Sequence, residues 1–84
     1  MRCSYVYFMQ DTPDRVAAVA DEHASYWRGL ELREYLGGPF ADRSGGLISF
    51  DTDSHHDAAQ RVADDPFVRE GLVKRSWLKE WTVE

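Results

Sequence analysis

The 84-residue sequence has one cysteine, no excess of basic residues and no long apolar run. The single thiol, Cys3, excludes an internal disulfide framework and favours a reducing compartment, so we expect a cytoplasmic protein. The formal net charge of -5 argues against nucleic acid or an anionic membrane as the main partner. No apolar run approaches the roughly 20 residues that cross a bilayer, and we do not expect the aromatic N-terminal segment to be a secretory signal. A folded intracellular domain is the class that remains.

The chain length allows one domain, residues 1–84, and not two. A domain of this size buries about 60–65% of the surface that its unfolded chain exposes, so a partner subunit would help to stabilise it. Aromatic residues make up 13% of the chain and include three tryptophans, a rich supply for so short a sequence.

The spacing of apolar residues predicts an alternation of strands and helices. We expect strands over residues 2–10, 35–40, 47–53 and 71–84, and helices over residues 13–34 and 54–65. Thr12 and Ser54 are placed to cap the two helices. Pro66 ends the second helix because the residue before a proline avoids helical geometry. The resulting order, β-α-β-β-α-β, is a split βαβ arrangement of the α+β class.

Two helices on one side of a four-stranded sheet leave the other side of the sheet bare. On the last strand, Val73, Trp77 and Trp81 are predicted to share one face. An apolar patch of that size usually marks an interface. We therefore expect a homodimer packed sheet to sheet, with a cavity in the shared space.

A histidine interrupts the apolar stripe of the first helix. The stripe consists of Val16, Ala20, His23, Trp27 and Leu30, at helical spacing. Such a histidine is often a packing residue, but a carboxylate within reach would fix its tautomer and make it a useful acid or base. Asp64 and Asp65 lie at the end of the second helix, on the same side of the sheet. One of them could be aimed inward, or one could cap the turn while the other is solvated.

Other candidate sites are less specific. The segment 51–57, DTDSHHD, lacks the glycine and glutamate of a calcium loop, and its adjacent histidines splay apart, so no metal site is expected. The glycine-rich segments match no phosphate or dinucleotide pattern, and we expect no cofactor. Arg75 and Lys79, beside Trp77, could hold an anionic aromatic ligand or could stack on the tryptophans at the surface.

Several separated segments together resemble the YciI-like (YCII-related) family. They are HASYW in the first helix, GGPF after it, GGLISFD in the third strand and DAAQRVADDPFVREGL near the end. The resemblance covers nearly the whole chain and implies a ferredoxin-like, four-stranded antiparallel sheet in a dimeric α+β barrel. It also implies an active site in which a histidine pairs with an aspartate, here His23 and Asp65.

Taken with this resemblance, a histidine–aspartate pair at a cavity predicts a cofactor-free lyase or isomerase that acts on a small cyclic or aromatic acid, with proton transfer by His23. The residues expected to bind the substrate are Trp27, Gly38, Pro39, Phe40, Phe67, Arg75 and Trp77. Gly46 and the short loop 41–46 alter the pocket, so the resemblance transfers no particular substrate. The alternatives are a non-catalytic, dimeric small-molecule-binding or accessory module, and a dimerisation domain with a filled barrel. In the non-catalytic module, His23 and Asp65 would form a structural hydrogen bond.

Overall fold

Four strands and two longer helices follow one another in the predicted order. In the computed structural model, which describes residues 1–84, the strands are β1 (Arg2–Met9), β2 (Arg33–Pro39), β3 (Gly45–Asp51) and β4 (Val73–Glu80). The helices are α1 (Pro13–Gly29), α2 (His55–Ala63) and a single turn, α3 (Pro66–Arg69). None of them combines the length and the apolar character that a membrane crossing requires. The observed order confirms the β-α-β-β-α-β prediction, to which α3 adds one turn.

The strands form one sheet in the order β2-β3-β1-β4, and all neighbouring strands are antiparallel. This is the ferredoxin-like arrangement that the resemblance implied. The central strand β1 places Tyr7 opposite Gly46 of β3 and opposite Ser76 of β4. β1 is therefore an inner strand of the sheet, with a neighbouring strand on each side.

The core lies between one face of the sheet and the helices. Along β1, Tyr5 and Tyr7 are buried on this face, whereas Val6 and Phe8 are half-buried on the opposite face. The other buried apolar residues of the core are Cys3, Trp27, Ile48, Phe50, Ala58, Phe67 and Leu72. The remaining apolar members of the predicted stripe of α1 pack against this cluster, so the stripe faces inward.

Helix α1 ends at Gly29, although the sequence pattern predicted a helix to about residue 34. Glycine has a weak helical preference, and Glu31 and Glu34 adopt left-handed φ angles of 50° and 52°, which no continuing helix permits. The hydroxyl of Thr12 caps nothing and is buried without a partner, so that capping prediction was wrong. The hydroxyl of Ser54 does cap α2, because it accepts a hydrogen bond from the amide three residues later at 3.0 Å.

The uncovered face of the sheet carries exposed apolar side chains. Leu47 and Trp77 are 42% and 45% exposed there. Val73 was expected on the same face as Trp77 but packs against the core instead. The register between β1 and β4 shifts between Phe8 and Met9, and this irregularity reverses the alternation at that end of β4.

Candidate active site

A histidine and an aspartate from distant parts of the chain meet on the helix side of the sheet. His23 projects from α1, and Asp65 lies in the turn between α2 and α3. Nδ1 of His23 and Oδ1 of Asp65 are 2.8 Å apart. The side chain of His23 is 12% exposed and that of Asp65 is 0% exposed. Asp64, the other aspartate considered, is exposed at the end of α2 and takes no part in the contact.

Three donors hold the carboxylate of Asp65 in place. The indole Nε1 of Trp27 donates to Oδ2 at 3.0 Å, and the backbone amide of Phe67 donates to Oδ1 at 2.8 Å. His23 is the third donor. Pro66 begins α3, and Asp65 is the N-cap of that turn. Because a buried carboxylate is costly unless it is hydrogen-bonded, these contacts explain how Asp65 is tolerated in the core.

The contact with Asp65 sets the tautomer of His23. An ionised carboxylate only accepts hydrogen bonds, so we assign the ring proton to Nδ1, and Nε2 of the neutral ring is an acceptor. Nε2 lies 3.2 Å from the hydroxyl of Tyr7, which donates to it. The ring of Phe67 stacks on the imidazole, with a centroid distance of 4.1 Å and an interplanar angle of 18°. The imidazole is therefore fixed in its plane and bonded on both nitrogens.

Tyr7 is a site residue that the sequence reading missed. Its partner across the sheet is Gly46, and a Cβ at Gly46 would collide with the phenol, so the glycine makes room for Tyr7. Burial raises the pKa of Tyr7, and the negative charge of Asp65 raises it further. The phenol consequently stays protonated at neutral pH and remains a donor. In the sequence, Tyr7 is one aromatic residue of an aromatic strand, and only its register with Gly46 singles it out.

A cavity of about 430 Å³ opens beside His23. Sites for small molecules typically have volumes of about 300–1,000 Å³. The wall includes Tyr7, Phe67, Tyr35 and residues 37–39 of β2. Burial is the main cause that raises the pKa of Tyr35. No three metal-ligating side chains come together in the chain. A ligand in this cavity would meet a ring nitrogen that can accept a proton and a phenol that can donate a hydrogen bond.

Part of the predicted substrate-binding set lies at this site. Of the predicted set, three residues line the cavity: Gly38, Pro39 and Phe67. Trp27 lies behind the cavity wall, completely buried, where it holds Asp65. Two arginines that the sequence reading passed over, Arg28 and Arg43, also line the cavity.

The rest of that set lies on the uncovered face of the sheet, around the ring of Phe8. The ring centroids of Phe40 and Trp77 are 5.8 Å and 6.1 Å from that of Phe8. The guanidinium carbon of Arg75 is 5.7 Å from the same centroid, because the register places Arg75 directly opposite Phe8. Within one chain, Phe40, Arg75 and Trp77 do not line the cavity beside the histidine.

The fold and the site together define a small α+β domain with a buried histidine–carboxylate pair at the wall of a ligand-sized cavity. A sequence model of the YCII-related domain matches residues 3–82, and the chain belongs to that family. Among solved structures, the chain is similar to 5-chloro-2-hydroxyhydroquinone dehydrochlorinase from Burkholderia phenoliruptrix AC1100 in complex with 2,5-dihydroxybenzoquinone, with a TM-score of 0.84. The two sequences are 18% identical, and the match covers 98% of this chain and 94% of that one, which establishes a shared fold. Comparison with curated protein sequences finds no match.

Proposed function

We propose that this protein is an enzyme of the lyase or isomerase type that moves a proton on a small cyclic or aromatic acid. The supporting observation is the hydrogen-bonded series Asp65–His23–Tyr7, whose last two members line the cavity. A carboxylate behind a histidine stabilises the imidazolium that forms when the ring takes up a proton. Proton transfer of this kind can proceed with side chains alone, without a cofactor.

In the proposed mechanism, Nε2 of His23 takes a proton from a ring carbon or a ring hydroxyl of the substrate. Asp65 keeps Nδ1 protonated and balances the charge of the imidazolium. Tyr7 releases Nε2 as the substrate enters and donates its hydrogen bond to the substrate oxygen on which negative charge develops. Return of the proton to another ring atom gives isomerisation. Departure of a leaving group with its bonding electrons, while the proton stays on His23, gives elimination.

The aromatic wall of the cavity and the structural relative both favour a ring-shaped substrate. Tyr7, Phe67 and Tyr35 offer ring surfaces against which a planar molecule can pack. The structural relative is a dehydrochlorinase of a chlorinated hydroxyhydroquinone. Dehydrochlorination removes a proton and a chloride, which is an elimination of the type described above. Hydroquinones, hydroxybenzoates and lactones are therefore the first compounds to test.

We also propose that the protein acts as a homodimer in the cytoplasm, without nucleic acid or membrane as a partner. A second copy packed on the uncovered sheet face would bury Leu47 and Trp77, which are exposed in the single chain. Phe40 and Arg75 would lie at the same interface, where their predicted role in binding would require the partner copy. The lone thiol of Cys3 and the net charge of -5 support the compartment and the choice of partners.

A non-catalytic ligand-binding module is the second candidate, and the hydrogen bonds of Asp65 favour it. They tie α1 to the turn before α3, which is a structural role in itself. The hydroxyl of Tyr7 already occupies Nε2, so His23 has two partners without any ligand. On this alternative, His23→Gln keeps ligand binding, and the wild-type protein shows no turnover.

Substitution of His23 distinguishes the two candidates. The compounds named above are incubated with the protein, and products are followed by ultraviolet absorbance and NMR. His23→Gln keeps a polar side chain but has no ring that can take up a proton, so the enzyme proposal expects kcat/KM to fall by about 10²–10⁴-fold. His56→Gln, at an exposed position of α2, is the matched control and should keep full activity.

Two results would count against the enzyme proposal. One is turnover that is unchanged in His23→Gln. The other is a wild-type protein that binds ring compounds but converts none of them, which would favour the binding module.

A further inference from the structure

Two arginines line the cavity without a protein partner. Arg28 lies in the last turn of α1, and Arg43 lies in the turn between β2 and β3. Neither guanidinium makes a side-chain hydrogen bond or an ion pair, whereas Arg2 and Arg33 each pair with an aspartate. They line the same cavity as His23, which distinguishes them from unpaired arginines elsewhere on the surface.

Arg43, in the turn between β2 and β3, forms no ion pair with the acid beside it. Arg43 adopts a left-handed φ of 65°, an uncommon conformation for a residue other than glycine. Its amide donates to the carbonyl of Phe40 at 2.9 Å. The carboxylate of Asp42, the adjacent residue, accepts a hydrogen bond from the amide of Ser44 at 3.0 Å. The carboxylate of Asp42 is thus hydrogen-bonded within the turn and makes no ion pair with Arg43.

Arginines outnumber carboxylates among the residues that line the cavity. Asp21 is the one carboxylate that lines the cavity, against Arg28 and Arg43. Asp21 precedes Arg28 by two turns of α1, about 10 Å along the axis, and it pairs with neither arginine. The charge of Arg28 also reaches Tyr35, where it opposes the burial that raises the pKa of that phenol. An anion in the cavity would therefore meet two unshared guanidinium groups.

We infer that Arg28 and Arg43 bind an anionic oxygen group on a planar ring, and that the opposite edge of the ring reaches His23. The inference rests on the proposed function, because it takes the cavity as the substrate site. A guanidinium binds a carboxylate through two parallel hydrogen bonds and also stacks on planar groups. A guanidinium can donate hydrogen bonds both to a carboxylate attached to the ring and to the oxygen of an ionised ring hydroxyl. Specificity for an acid then comes from these two residues and not from Arg75 or Lys79.

Binding of matched ring compounds tests the inference independently of turnover. Hydroquinone is neutral, 2,5-dihydroxybenzoate is the same ring with an added carboxylate, and 2,5-dihydroxybenzoquinone is an anion through its hydroxyls alone. Dissociation constants are measured by NMR titration of the full-length wild type, Arg28→Gln and Arg43→Gln. Arg69→Gln makes the same change of net charge on α3, outside the cavity, and is the control.

We expect each cavity variant to bind 2,5-dihydroxybenzoate about tenfold more weakly than the wild type, the loss of one charged hydrogen-bonded contact. Hydroquinone binding and the Arg69→Gln control should be unchanged. Arg28→Lys and Arg43→Lys keep the charge and should recover part of the affinity. Parallel weakening of 2,5-dihydroxybenzoquinone supports an acidic hydroxyl as a sufficient anion, and weakening of 2,5-dihydroxybenzoate alone supports a carboxylate.

The inference is overturned if the neutral and anionic rings weaken equally, if neither weakens, or if neither anion binds the wild type. It fails separately from the proposed function. A wild type that prefers the anionic ring but shows no turnover contradicts the enzyme proposal alone. Turnover that is lost in His23→Gln but does not depend on Arg28 or Arg43 contradicts the anion site alone.

Discussion

Asp65 is the residue on which the geometry of the site depends. Its carboxylate accepts hydrogen bonds from an imidazole, an indole and a backbone amide, all within a fully buried position. The same oxygen that orients His23 also caps α3. The placement of the histidine and the folding of the turn are therefore properties of one side chain.

We expect Asp65→Asn to lower the free energy of unfolding by about 1–3 kcal/mol. An amide has one acceptor oxygen, so its NH₂ group would face a donor, and either Trp27 or His23 would lose its acceptor inside the protein. Urea unfolding followed by circular dichroism measures the difference. Asp64→Asn, one residue away and exposed, should change the free energy by less than about 0.5 kcal/mol. Equal unfolding midpoints for the wild type and Asp65→Asn would contradict the arrangement.

The sequence predicts that a single residue belongs to the site only when the pattern around that residue is unusual. His23 is conspicuous because a titratable ring interrupts an apolar stripe, and the structure places it at the cavity. Asp64 and Asp65 are indistinguishable by spacing, and the resemblance rather than the pattern separates them. Tyr7 and Arg43 carry no local sign, because their place in the site depends on pairing between strands and on the conformation of a turn.

Among the elements, the existence of the four strands and of the two longer helices follows from apolar spacing, but the turn α3 and the ends and faces of the elements do not. Leu30 and Leu32 continue an apolar pattern beyond Gly29, yet the backbone leaves the helix there to begin β2. Val73 lies on the face opposite to the one that strict alternation predicts. Both differences arise from backbone geometry, a left-handed residue in one case and a register shift in the other, that side-chain patterns do not encode.

The start of β3 approaches β1 so closely that it requires glycine. A Cβ at Gly45 would collide with the backbone carbonyl of Tyr7, and backbone atoms cannot rotate away. We expect Gly45→Ala to lower the free energy of unfolding by about 1–3 kcal/mol, measured in urea. Gly38→Ala is the matched control, since a Cβ there meets nothing within 4 Å. Comparable stability of the two variants would show that β1 and β3 can separate without cost at this point.

For the whole molecule, the uncovered sheet face predicts association. We expect the wild type to behave as a dimer of the 9.7 kDa chain in light scattering after gel filtration. Leu47→Arg should give a monomer, because an unpaired charge would be buried in an apolar interface. Ala59→Arg, on the exposed side of α2, should remain dimeric. A wild-type monomer at every concentration would rule out this use of the face.

The tyrosines should make the folded protein less stable at alkaline pH. Burial is the largest cause that raises the pKa of all four above the ordinary value near 10, and the charge of Asp65 adds to each shift. Above about pH 10 the tyrosines of the unfolded chain lose their protons while those of the folded protein keep them. The free energy of unfolding therefore falls as the pH rises above about 10, and the tyrosines leave it unchanged below that pH. Urea unfolding at a series of pH values should show the decline, which Tyr7→Phe should reduce. Phenolate absorbance of the folded protein with an ordinary midpoint would contradict the prediction.

The burial of Trp27 has an optical consequence. Trp27 is 0% exposed and donates to Asp65, whereas Trp77 and Trp81 are 45% and 52% exposed. These three are the only tryptophans in the chain, so replacing the exposed pair with phenylalanine would leave a single tryptophan. That tryptophan is one hydrogen bond away from the carboxylate that orients His23. The emission of an unlabelled protein would then report the arrival of a molecule in the cavity.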